Sequence, residues 1–181
     1  MSQVAVRYAK SLLEIAVEKK QLDTVFSDMK KVLVACRNLK DLNLILKSPL
    51  VKTDKKIFVF KTIFKDQVSL ITEEFIILLT KNRREAYLEE ICDEFIKQYK
   101  DKMNIITATV TSAVKLDEAI RNNIIELLKK RYAAQIEIIE KIDPKLIGGF
   151  ILKVGDKEAD MSILRQLNQL RKDFNQSYSL N

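Results

Sequence analysis

No glycine precedes Gly148, and all three glycines of the chain, Gly148, Gly149 and Gly155, fall within eight residues. The only prolines are Pro49 and Pro144. With no glycine in the first 147 residues, the three that do occur are not there for general flexibility. The glycine pair then follows Asp143-Pro144, a turn-forming dipeptide, and precedes the alternating segment Phe150 to Val154. Glycine in such a place marks a bulge, a positive φ angle or a close backbone approach. The chain therefore enters a strand through a tight corner.

The first ~100 residues carry helical periodicity throughout. It predicts six segments at 3–19, 23–38, 40–47, 53–65, 70–82 and 84–101, with Ser48-Pro49 separating the third from the fourth. Thr53-Asp54 and Ser69 to Thr72 offer N-cap chemistry for the fourth and fifth. The pattern changes near Met103. Ile106, Ala108, Val110 and Ser112 alternate with threonines, which reads as a half-buried strand. A helix at 117–132 follows, then a strand at 135–139, the strand 150–154 and a turn at Gly155-Asp156 into a short fourth strand near Glu158. Asp160 or Ser162 caps a last helix with Ile163, Leu164, Leu167, Leu170 and Phe174 on its apolar side, and the tail from Asn175 to Asn181 is expected to fray. The expected fold is mainly α: a six-helix N-terminal bundle at 1–102, then a small α+β domain at 103–181. The second domain is too small to be robust alone.

Composition removes several functions. There is no histidine, so the commonest general base and metal ligand are missing. No phosphate-binding glycine loop occurs. Cys36 and Cys92 lie far apart in sequence and read as reduced, partly buried thiols. The carboxylates are scattered among lysines and read as a solvated surface. No catalytic residue, metal site or cofactor site is expected, and the chain is not expected to be an enzyme. No run approaches the ~20 apolar residues of a membrane helix; the longest is Phe75 to Leu79. The N-terminus lacks secretory architecture, so a cytosolic protein is expected unless a partner tethers it. The net charge of +7 permits nucleic acid, an acidic partner or an anionic surface. The lysines form no single stripe, and only Phe150 is aromatic among the strands, so a stacking platform for RNA is missing.

Two helices carry more apolar surface than one core needs. On a helical wheel the apolar positions of the first span ~220°, against the ~100° or more of a helix facing one core. One edge, Val4, Tyr8, Ser11 and Ile15, has no obvious place in the bundle. In the fifth helix Phe75, Ile76, Ile77, Leu78 and Leu79 point all round the axis. Either both helices are central, or a groove between them accepts an amphipathic partner helix.

The segment Ile142-Asp143-Pro144-Lys145-Leu146-Ile147-Gly148-Gly149-Phe150-Ile151-Leu152-Lys153-Val154-Gly155 resembles the signature of the delta subunit of F-type ATP synthases, whose mitochondrial counterpart is the oligomycin-sensitivity-conferring protein. Val6-Arg7-Tyr8-Ala9-Lys10-Ser11-Leu12-Leu13-Glu14-Ile15-Ala16 is similar to that family's first helix. Asn82-Arg83-Arg84 with Tyr87-Leu88, Ile91 and Phe95 is similar to its mid-chain segment. Val110-Thr111-Ser112-Ala113 with Leu116 resembles the start of its C-terminal domain, and Asp160-Met161-Ser162 with Leu167 and Leu170 resembles its last helix. The order, the spacing and the chain length all fit.

The resemblance implies a non-catalytic stator protein, one that couples ion-driven rotation to ATP synthesis. It implies an N-terminal domain that binds the N-terminal helix of an alpha subunit between its first and fifth helices. Val4, Tyr8, Ser11, Ile15, Phe75 and Leu78 are the groove residues; Tyr8, Ser11, Ile15 and Leu78 fall at the family's positions. It implies a C-terminal domain, built around Asp143, Pro144, Gly148, Gly149, Gly155 and Asp160, that holds the C-terminal end of the peripheral-stalk b subunits. A monomer in isolation, one copy per complex, on the cytoplasmic face of a bacterial membrane and bound to it only through the complex, completes the expectation. The rival from composition is a basic helical nucleic-acid-binding protein.

Overall fold

The computed structural model describes residues 2–178, with the backbone alone for 172–178. The chain divides into two compact units, Met1–Lys102 and Met103–Asn181.

The first unit is helical. Its elements are α1 (Gln3–Glu18), α2 (Leu22–Asn38), α3 (Lys40–Lys47), α4 (Thr53–Phe64), α5 (Leu70–Lys81), a 3-10 turn (Glu85–Tyr87) and α6 (Leu88–Lys102). The segment expected at 84–101 is thus a 3-10 turn leading into an α-helix. The Ser2 hydroxyl caps α1 by accepting from the Ala5 amide at 3.2 Å. Among the described residues, five that are not glycine have positive φ: Lys20, Asp66, Arg83, Asn104 and Ala133. Each sits at or just past the C-terminal end of a helix, where glycine is the usual left-handed residue. A chain without glycine there accepts the left-handed conformation at a cost of roughly 1–2 kcal/mol per residue.

α6 packs against both α1 and α2. Its Leu88, Ile91, Cys92 and Phe95 are fully buried, as are Ala5, Ala9, Leu12 and Ala16 of α1 and Val25, Met29 and Val32 of α2. The inner face of α1 is therefore mostly alanine, which lets the helix axes approach closely. Arg37 forks onto Asp93 at 2.7 and 2.8 Å across the α2–α6 contact.

Two cap assignments differ from expectation. The N-terminus of α4 has no side-chain cap; Lys52 is its N-cap residue and Thr53 already lies inside the helix. For α5, Ser69 is the N-cap residue but makes no capping bond itself. Asp28 of α2 does so from a distance, accepting from the Ser69 amide at 2.7 Å and the Thr72 hydroxyl at 3.1 Å. Nor is every carboxylate solvated: Asp28, Glu85 and Glu94 are buried, and so is Lys56.

The second unit is α+β: β1 (Ile105–Ser112), α7 (Glu118–Tyr132), β2 (Gln135–Ile142), β3 (Phe150–Val154), β4 (Lys157–Asp160) and α8 (Ile163–Tyr178). The sheet order is β2-β1-β3-β4. β1 and β2 are parallel, joined by α7, and the other two pairings are antiparallel. β2 runs three residues beyond the expected 139. Glu140, Lys141 and Ile142 break the apolar alternation but stay in register with Val110, Thr111 and Ser112. The core is Ala108, Val110, Ile124 and Leu128, with Leu116, Tyr132, Ile136, Ile138, Phe150, Leu152 and Val154 packed around it. α8 continues to Tyr178, past the Asn175 at which fraying was expected. The Phe174 side chain and Ser179 to Asn181 lie outside what is described.

Candidate functional site

The predicted groove residues sit on two helices that touch. Tyr8 of α1 meets Phe75 of α5 edge-on, with ring centroids 6.4 Å apart. Phe75 is buried at 7% exposure, Val4 and Tyr8 are half-buried, and Ser11 is exposed. Ile15 and Leu78 are 43% and 50% exposed. The Ser11 hydroxyl donates back to the Arg7 carbonyl at 3.1 Å, so it satisfies itself along its own helix. A small, self-bonded residue there leaves room for close approach. Neither helix is central: α1 buries its alanine face and exposes Val6, Ile15 and Val17, while α5 buries Phe75, Ile76 and Leu79 and exposes Leu70 and Leu78. Tyr8 and Phe75 are thus in direct contact, while helical spacing puts Val4, Ser11 and Ile15 on the α1 face of Tyr8 and Leu78 on the α5 face of Phe75.

The glycine motif is a corner between strands. β2 ends on one side of β1 and β3 begins on the other, so residues 143–149 must cross the end of β1. The Asp143 amide donates to the Ser112 carbonyl at 2.9 Å and anchors the crossing. The Asp143 carboxylate accepts from the Lys145 amide at 3.0 Å, an Asx turn around Pro144. Gly149 has φ +77°, and a Cβ there would overlap the Met161 carbonyl oxygen. Gly148 is different: its added Cβ would meet only the tip of the Ile163 side chain, at 2.6 Å. The corner is held against the start of α8 by two bonds, Met161 amide to Phe150 carbonyl at 2.9 Å and Ile163 amide to Gly148 carbonyl at 3.0 Å. Gly155, at φ +57°, takes the first position of the two-residue β3–β4 turn and has open space around it.

Asp160 and Ser162 both serve the end of β4. The Asp160 carboxylate accepts from the Ser162 amide at 2.8 Å, and the Ser162 hydroxyl accepts from the Arg165 amide at 3.3 Å, capping α8. Hydrogen bonds from Ser162, side chain and then backbone, hold the Asp160 carboxyl below the usual carboxylate range.

Sequence reasoning placed Ile163, Leu164, Leu167 and Leu170 on one face of α8 but did not foresee that the face is open. They are 43%, 43%, 46% and 53% exposed, and Ile147 and Met161 nearby are 67% and 51% exposed. Amphipathic spacing was the available signal, and it cannot tell a core from a partner. Cys36 and Cys92 are fully buried. Burial pushes the Cys36 thiol up to about 11 and raises Cys92 as well, which makes both poor nucleophiles. Among the described residues no helix is long and apolar enough to cross a membrane.

Both units keep apolar surface out of their cores, as members of larger assemblies do. Similarity to known proteins names the assembly. The family model described as ATP synthase delta (OSCP) subunit matches residues 4–174. The delta subunit of the ATP synthase of Cytophaga hutchinsonii is 38% identical over 173 residues, 96% of this chain and 94% of the relative. That of Prochlorococcus marinus is 34% identical over 171 residues, 94% of this chain and 95% of the relative. A chain of the Toxoplasma gondii mitochondrial ATP synthase has the same fold, with a TM-score of 0.69 at 22% identity, over 96% of this chain and 98% of that one. The chain belongs to the ATP synthase delta (OSCP) family. It is a non-catalytic stator subunit of the F-type complex, and nothing in these findings supports the nucleic-acid reading.

Proposed function

We propose that the α1–α5 seam receives the N-terminal helix of an ATP synthase alpha subunit, and that the C-terminal unit holds the C-terminal end of the peripheral-stalk b subunits. The observation that carries the first half is the pairing of a buried Phe75 with exposed Ile15 and Leu78 around the Tyr8 contact. An amphipathic helix laid there finds an aromatic floor and aliphatic walls. The second half is supported by the open apolar stripe of α8, which no other described element covers. Held at both ends, a single copy braces the catalytic head against the torque of the rotor. Such a role rests on apolar contact and shape and involves no bond chemistry. The protein lies on the cytoplasmic face of a bacterial membrane and meets it only through the complex; purified alone it is a monomer.

Purification from native membranes in mild detergent tests this reading. The alpha and b subunits should co-purify in stoichiometric amounts with one copy of this chain. Recovery of the chain free of both, or with nucleic acid in their place, would count against it.

A further inference from the structure

The open apolar stripe of α8 is interrupted by one charge. At 3.6 residues per turn, Arg171 falls about 20° from Leu164 and about 40° from Leu167 around the helix axis. It therefore stands inside the stripe, and like the leucines beside it, it is exposed. Arg165 is the other charge among side chains 163–171. It lies about 160° from Leu167, on the far side of the helix, and its guanidinium donates to the Asp160 carbonyl at 3.2 Å.

Arg171 has no carboxylate to meet on its own helix. Neighbours on a helix surface stand three or four residues apart. For Arg171 these are Leu167, Asn168, Phe174 and Asn175. Asp173 is two residues on, a spacing that puts it on a different face.

A guanidinium in an apolar stripe costs little while water reaches it. Once a helix covers the stripe, the charge loses its water and must be paired, because a buried unpaired charge is strongly unfavourable. A helix with an unbroken apolar seam would leave it unpaired. A helix with a carboxylate at the matching level would gain charge-assisted hydrogen bonds from the guanidinium fork. Polar groups set in an apolar seam also fix register between helices.

We propose that Arg171 is the residue of α8 that selects its partner and sets its register. The occupant is the amphipathic C-terminal end of the stalk b protein, with one aspartate or glutamate side chain inside its apolar seam opposite Arg171. This rests on the reading that the C-terminal unit holds the stalk.

The test is calorimetric titration of the full chain with a peptide from the C-terminal end of the b protein, and with peptides in which each acidic residue in turn becomes its amide. Arg171→Gln, a change at an exposed position, should melt as wild type does. It should bind the parent peptide roughly tenfold more weakly and with a flatter dependence on salt. One amide peptide should lose a similar factor on wild type and little more on Arg171→Gln, the coupling expected of a direct pair. Blocking the peptide's terminal carboxylate should change nothing; a loss there instead would overturn the side-chain assignment. A parent peptide that fails to bind wild type, or that binds Leu167→Asp equally well, overturns the stalk reading and the proposal together. If Leu167→Asp loses the peptide while Arg171→Gln keeps it, or if every amide peptide binds as the parent does, the stalk reading stands and the proposal falls.

Discussion

The two units of this chain solve the same problem with unequal means. In the N-terminal unit, α6 lies against α1 and α2, and long rows of side chains on all three are fully buried. In the C-terminal unit, the fully buried apolar core among the described residues is Ala108, Val110, Ile124 and Leu128. Around it the leucines and isoleucines of α8 stay about half exposed. The first unit has the burial to stand as a domain, although Leu44, Leu50, Phe58 and Leu70 stay exposed as well as the α1–α5 seam. The second has barely enough, and the apolar stripe of α8 stays open. On the proposed reading the first unit would seat on the head as a rigid body and the second would gain order from the stalk it holds.

The largest effect should come from the buried pair of the first unit. Lys56→Ala leaves Glu85 buried without its counterion, which costs about 3–5 kcal/mol. Amide exchange should speed up throughout residues 3–102, with the second unit unchanged. Equal loss in both units would mean that they do not fold separately. Next, Gly149→Asp forces a side chain onto the Met161 carbonyl at a positive φ, at a cost of roughly 2–4 kcal/mol. That is a large share of what a small unit has to spare. The second unit should lose its exchange protection while the first keeps its helical signal. In membranes, ATP synthesis should fail while hydrolysis by the detached head continues. Gly148→Ala, which displaces only the end of Ile163, should do far less.

Ala133→Gly works in the opposite direction. Ala133 ends α7 at φ +47°, and relief of that left-handed strain should stabilise the second unit by up to about 1 kcal/mol, read as a small rise in its melting temperature. The smallest change in stability should come from Leu167→Asp, within about 0.5 kcal/mol, because the residue lies on the open face of α8. The same variant should lose affinity for a peptide taken from the C-terminal end of the stalk b protein. A strong loss of stability would show that the stripe belongs to a core after all.

The contrast between the units also marks what the sequence could reveal. The helices of the first unit were legible because a core on one side imposes the 3.6 period; the exception is the start of α6, where a 3-10 turn at Glu85–Tyr87 precedes the helix at Leu88. β1 was legible from its threonine alternation. The end of β2 was not, because Glu140 to Ile142 are held by pairing with β1 and carry no alternation of their own. Asp28 reaching 41 residues along the chain to cap α5, and Lys56 meeting Glu85 at a separation of 29, are products of tertiary packing that no local window contains. The glycine corner announced itself through residue type alone, since only glycine tolerates both the φ angle and the contact at position 149. Exposure of the α8 stripe was illegible for the same reason that the helix was legible: amphipathic spacing records that a face will be covered and is silent about what covers it.

The central claim is that the α1–α5 seam is where the protein grips the head. The most direct test is calorimetric titration of the full chain and of Ser11→Asp with a peptide of the alpha-subunit N-terminus. Ser11 is exposed and bonded only to its own helix, so the variant should fold and melt as wild type does. Its aspartate would be buried without a partner beneath the bound helix, and affinity should fall by several kcal/mol, on the order of 100-fold or more. A Ser11→Asp chain that binds the peptide as tightly as wild type would place the grip elsewhere on the molecule.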